Sequence, residues 1–146
     1  MNREIKFRAY IKNENKRVPS KTNKIVEVKS LHLGSKKAII GYSKNSSNYG
    51  NYSISFDDIE LMQYTGLHDE NGKEIYEGDI VSKEVFDDTK PNYINKSYAK
   101  VVYIEELAGF YLVNKSNKIL WEVADDKYNI EVVSTIYDNP ELLGGE

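Results

Sequence analysis

The chain of 146 residues has no cysteine, which excludes a disulfide framework, a thiolate metal site and a cysteine nucleophile together. Three prolines and nine glycines are too few for a collagen-like or low-complexity chain. No segment approaches the roughly 18 consecutive apolar residues of a membrane span. The opening MNREIKFRAYIKNEN is charged throughout and lacks the apolar stretch of about 7 to 15 residues that marks a secretory signal. The expectation is therefore a cytoplasmic protein with no membrane partner. In that setting the Asn-x-Ser triplets at Asn45, Asn51, Asn95 and Asn114 are chance matches and not glycosylation sites.

What is present is a globular balance, with 40% hydrophobic and 29% charged residues. A chain of this length buries roughly 68 to 70% of its unfolded surface in one domain, or divides into two small modules. Twelve tyrosines, with Ile, Val and Phe, favour pleated, half-buried surfaces over helices. The net charge of −3 conceals two opposed blocks. Residues 1–56 carry twelve Lys or Arg against Glu4, Glu14 and Glu27, and residues 57–146 carry eight Lys against twenty acids. A basic block that forms one face attracts phosphates or an acidic partner. The other reading is that both blocks are solvated surface, or that they attract each other within or between copies.

Ile5, Phe7, Ala9 and Ile11 alternate with Lys6, Arg8, Tyr10 and Lys12, the period of a half-buried strand. A polar, hairpin-like stretch follows (Asn13 to Asn23, with Pro19). In Lys24 to Leu33 the apolar face switches between Val28 and Leu31, which predicts a bulge near Lys29. Lys37 to Tyr42 and Tyr52 to Phe56 read as a strand pair joined by the loop SKNSSNYGN. Asp57 to Thr65 fits a strand or one helical turn capped by Asp57, and the strand is favoured. Asn71-Gly72 and Glu77-Gly78-Asp79 are turn signals on either side of Ile75 and Tyr76. Five strands are expected downstream, at Asp79 to Val85, Ala99 to Ile104, Phe110 to Val113, Ile119 to Val123 and Ile130 to Tyr137, the first two separated by the long loop FDDTKPNYINKSY. In the tail, Asn139 suits an N-cap and Pro140 the first helical position. The predicted fold is mainly β, with a basic module over residues 1–66 and an acidic module over residues 67–146. The second is expected to be a five-stranded SH3-like barrel.

Hydrolytic chemistry needs a nucleophile, a base and an orienting acid that meet in space, and the chain's imidazoles are His32, in a predicted strand, and His68, in a turn. Neither lies in a nucleophile motif, and Asp69-Glu70-Asn71-Gly72 lacks the spaced oxygen ligands of an EF-hand loop. Adjacent acids at Asp57-Asp58, Asp87-Asp88 and Asp125-Asp126 point to opposite faces if they lie in strands, so none is a ready dyad. No catalytic residue, metal ligand or cofactor is expected. In the basic block Arg3, Lys6, Arg8, Lys12 and Lys37 interleave with Phe7, Tyr10, Tyr42, Tyr49 and Tyr52, a mixture compatible with stacking on single strands. Lys6, Arg8, Tyr10 and Lys12 share the outward face of the first strand and form the candidate surface for nucleic acid or a partner.

The segments REIKFRAYIKNENK and ELMQYTGLHDENGKEIYEGDIV resemble the YopX family of phage and prophage proteins. The resemblance implies a predominantly β accessory protein acting in the bacterial cytoplasm, and it carries no catalytic residue across. Of the motif residues, Gly66, Gly72 and Gly78 are expected to set turns, and Tyr64, Tyr76 and Asp79 to be structural as well. The expected function is non-enzymatic, through contact with a host or phage protein or through a homo-oligomer. Nucleic-acid binding by the basic module is the less favoured alternative.

Overall fold

The computed structural model describes residues 4–12, 25–45, 48–90 and 92–144, with backbone alone at 42–45 and 48–49. The hairpin-like stretch expected at 13–23 lies outside these residues. Two compact units are present, Glu4–Gln63 and a second beginning at Tyr64. The division falls inside a long strand, whereas the turn signals had placed it after Gly66.

The first unit is an antiparallel sheet of β1 (Phe7–Ile11), β2 (Ile25–His32), β3 (Lys37–Asn45), β4 (Asn48–Ser55) and the first part of β5 (Ile59–His68), in the order β4-β3-β2-β1-β5. The period of two in β1 buries Ala9 and Ile11 and leaves Arg8 and Tyr10 half-exposed. Ile5 precedes the strand and is exposed, so the inward row begins at Phe7. In β2 the register shifts between Val28 and Ser30. This is the expected bulge near Lys29, and it lets Val26, Val28 and Leu31 all pack on the same core. Ala38, Ile40, Ile54 and Ile59 complete that core. The loop expected between β3 and β4 is mostly ladder, since pairing continues to Asn45 opposite Asn48. Asn and Ser are turn-tolerant, but with no proline and Lys44 as its one charge the run has little that opposes pairing. At Asp57 both sequence readings apply in succession. A 3-10 turn spans Phe56–Asp58, capped by Ser55, whose Oγ accepts from the Asp57 N–H at 3.2 Å, and β5 follows.

In the second unit the end of β5 pairs with β6 (Glu74–Tyr76) through Tyr64 opposite Tyr76 and His68 opposite Glu74. A separate sheet holds β7 (Asp79–Phe86), β8 (Ile94–Ile104), β9 (Gly109–Val113), β10 (Ile119–Glu122) and β11 (Ile130–Thr135), in the order β10-β9-β8-β7-β11. A short helix, α1 (Val123–Asp126), and a 3-10 turn at Lys127–Asn129 lead from β10 into β11. The core joins Val81, Ala99, Val101, Leu112, Val123, Ile130 and Val132 to Ile75.

Five strands are found where five were expected, but the closed barrel is not. β10 and β11 are the two ends of an open order. A physical reason lies at each end. β10 is four residues long with a register shift between Ile119 and Trp121. The outer edge of β11 is occupied, because Ile130 O accepts from the Glu70 N–H and Val132 N–H donates to Asp69. β8 also begins five residues earlier than predicted, at Ile94 opposite Phe86, so the long loop shortens to residues 87–93. Val123 opens α1 and does not end β10. Asn139 stands at the cap position of the 3-10 turn Pro140–Leu143 without a side-chain cap bond. Its amide donates to Glu141 at 2.9 Å and its Oδ1 accepts from Ser134 Oγ at 2.6 Å. Among the described residues no helix is long and apolar enough to cross a membrane.

Candidate functional site

Of the four residues expected on one outward row, Arg8 and Tyr10 lie half-buried within β1 and Lys6 and Lys12 flank it, with acids among them. Arg8 is opposite Glu27 on β2, and Tyr10 is opposite Glu60 on β5. Lys6 Nζ lies 3.2 Å from Glu4, Lys12 Nζ 3.5 Å from Glu60, and the neighbouring Lys29 Nζ 3.1 Å from Glu27. Each pair is partly solvated and worth little in stability. Its larger effect is on the field, since every paired amine contributes less to the potential that draws a polyanion. Of the twelve basic residues in 1–56, Arg3, Lys16, Arg17, Lys21 and Lys24 lie outside the described residues and Lys44 has backbone alone. Of the expected stacking rings, Tyr42 and Tyr49 likewise have no described side chains, and Tyr52 packs on the core of the first unit.

The motif residues form a knot at the start of the second unit. Gly66, Gly72 and Gly78 have φ of +84°, +81° and +88°, a region that a side chain enters only at a cost. Tyr64, 2% exposed, stacks on Tyr76 with ring centroids 5.3 Å apart, and the His68 ring meets Tyr64 edge-on at 6.0 Å. Asp79 is fully buried, and its Oδ2 accepts from the Tyr76 N–H at 2.8 Å. His32 is remote in sequence, exposed, and 3.1 Å from Ser30 Oγ.

Sequence reasoning missed Thr65 and Asp69. Thr65 Oγ1 donates to Ile75 O at 2.8 Å and accepts from the Leu67 N–H at 3.2 Å. Asp69, 5% exposed, accepts from Asn71 N–H and Lys73 N–H at 2.9 Å through Oδ1 and from Val132 N–H at 2.8 Å through Oδ2. An Asp two residues before Asn71-Gly72 is a readable Asx-turn signal. Its bond to Val132, 63 residues away, leaves no trace in the sequence. Both Asp69 oxygens thus hold backbone amides, and among the described residues no group of three His, Cys, Asp or Glu is placed to hold a metal ion.

A groove of about 540 Å³ opens on the second unit. Val85, Tyr98, Leu120 and Trp121 supply apolar and aromatic wall, and Pro140 sets the turn that brings Leu142 and Leu143 to it. Asn95, Asn114, Lys96 and Lys115 give it polar and basic character. Lys83 Nζ lies 4.3 Å from the Trp121 ring centroid and 2.5 Å from Asp126 Oδ1. Two exposed carboxylates are shifted toward the charged form. The Thr89 hydroxyl and amide hold Asp87 below its ordinary value of 3.8, and the Asn139 side chain holds Glu141 below 4.5. Neither lines the groove.

A family model described as "YopX protein" matches residues 6–144. The crystal structure of protein EF1440 from Enterococcus faecalis is similar at a TM-score of 0.59 and 23% identity, over 97% of this chain and 99% of that one. That likeness is one of fold. No curated protein matches the sequence.

Proposed function

We propose, for a chain that belongs to the YopX family, a non-enzymatic role as a phage or prophage accessory protein in the bacterial cytoplasm, working by contact with other proteins or with copies of itself. The groove carries this reading. An aromatic and aliphatic wall bordered by amides and lysines suits an extended segment with an apolar anchor and acidic flanks. The strand order β11-β7-β8-β9-β10 supports reading the second unit as an open relative of the SH3-like barrels, a likeness that by itself names no ligand.

Affinity capture from infected or lysogenic cells, with the wild type and Trp121→Ala side by side, tests the groove. Proteins retained by the wild type and lost with Trp121→Ala support it. Identical capture by both overturns it.

The alternative, nucleic acid on the basic module, is disfavoured by the carboxylates beside Lys6, Arg8 and Lys12. Filter binding of single-stranded DNA and RNA is expected to be weak at low salt, and tight, salt-sensitive retention would reverse the ranking.

A further inference from the structure

An edge strand exposes a row of unpaired backbone N–H and C=O groups, and folded proteins guard such edges with charge, proline, bulges or a covering segment. β11 has such a guard, in which Glu70 and Asp69 occupy Ile130 O and the Val132 N–H. The eight residues of β4, NYGNYSIS, contain no charge and no proline, the one register shift of its ladder with β3 falls between Ser43 and Asn45 at the Asn48 end and leaves Tyr49–Ser55 in continuous register, and among the described residues its hydrogen-bonded neighbour is β3 alone.

The phase of the ladder shows which groups are offered. Phe56 N–H donates to Lys36 O at 2.9 Å, and the pairs Ile54 with Ala38, Tyr52 with Ile40 and Gly50 with Tyr42 fall in the same phase. The backbone groups of Asn51 and Ser53 therefore point away from β3. Both residues are exposed, whereas Tyr52 and Ile54 pack on the core. At Gly50 a Cβ would stand 3.1 Å from the Tyr52 ring, so the ring takes the place of the missing side chain and the row stays extended.

We propose that β4 is a self-pairing edge through which two copies of this chain join antiparallel about a two-fold axis. The proposal deepens the interaction reading above and rests on it. The charge pattern selects the occupant. In a two-fold antiparallel pair a strand meets itself, so each charge on it comes near one of the same sign. The other strands at sheet ends, β6, β10 and β11, carry Glu74, Glu122 and Glu131. β4 carries nothing to repel its own copy and nothing to attract a charged stranger. An axis at Tyr52 sets Asn51 of one copy opposite Ser53 of the other, and each such pair exchanges two backbone hydrogen bonds.

Light scattering of the full-length protein from about 1 to 100 µM tests the edge, a range that spans modest affinities. The wild type should move from monomer toward dimer. Ser53→Pro removes the outward N–H and leaves the bonds to β3 intact, and the double variant Asn51→Lys with Ser53→Lys places like charges across the axis. Each should weaken dimerisation at least about tenfold, with circular dichroism showing the fold retained. Should the proline variant not fold, the lysine pair decides. In the wild type, amide exchange at Asn51 and Ser53 should slow as concentration rises. A wild type that stays monomeric overturns the proposal, as does a dimer that persists in the lysine variant. The groove variant Trp121→Ala should leave the mass unchanged. A monomeric wild type that still captures partners through the groove thus sinks the edge alone, and a dimer lost only in the edge variants supports it whatever the groove retains.

Discussion

In the first unit the pairs Lys6–Glu4, Lys12–Glu60 and Lys29–Glu27 lie at the surface, whereas in the second Asp69 and Asp79 are buried and Asp126 nearly so. The difference teaches where charge holds structure. A solvated pair is replaced by water at little cost, but a buried carboxylate that satisfies backbone amides leaves them orphaned when it is removed.

The sharpest test is Asp69→Ala. It strips acceptors from the amides of Asn71, Lys73 and Val132, and urea unfolding should show a loss of about 3 kcal/mol. A loss no larger than that of a surface pair would break the contrast. Next, Asp126→Ala leaves Lys83 without its carboxylate at side-chain exposures of 18% and 14%. Partial solvent access reduces the expected cost to about 1 to 2 kcal/mol, read from the same denaturation curves.

Gly72→Ala probes the knot without charge. A Cβ there meets nothing within 4 Å, so the cost is that of a positive φ alone, about 1 kcal/mol, and Gly72→Asn should recover part of it. In the first unit, Lys12→Ala should change stability by less than about 0.5 kcal/mol and lose even that in high salt.

The smallest effect is on pH. Asp87, depressed by its hydrogen bonds to Thr89, contributes stability that is present above its ordinary value of 3.8 and lost as pH falls through the lower, folded value. Thr89→Val should raise the Asp87 titration in a carbon-detected NMR series, and an unmoved midpoint would refute the assignment.

Strands that bury one face were legible in the sequence, because a period of two survives wherever a core takes alternate residues. Even the bulge in β2 was visible, as a change of face between Val28 and Leu31. The starts of β4 and of β8 were not. Asn48–Tyr49 and Ile94–Ser97 are paired in runs rich in turn-tolerant Asn and Ser, so their strand character comes from the partner strand and not from local preference. The SH3-like closure was misjudged because a count of strands is silent about which edges a loop will cover. Of the site, the glycines at positive φ were readable. The groove was not, because Val85, Trp121 and Leu142 come from three distant parts of the chain.

The Asp69 bond to Val132 has a kinetic consequence as well. A contact spanning 63 residues is expected to form after the intervening strands have ordered, since the loop between its ends must first surrender its freedom. That order would place it late on the folding path and early on the unfolding one. Its loss should therefore shorten the life of the native state far more than it delays its birth.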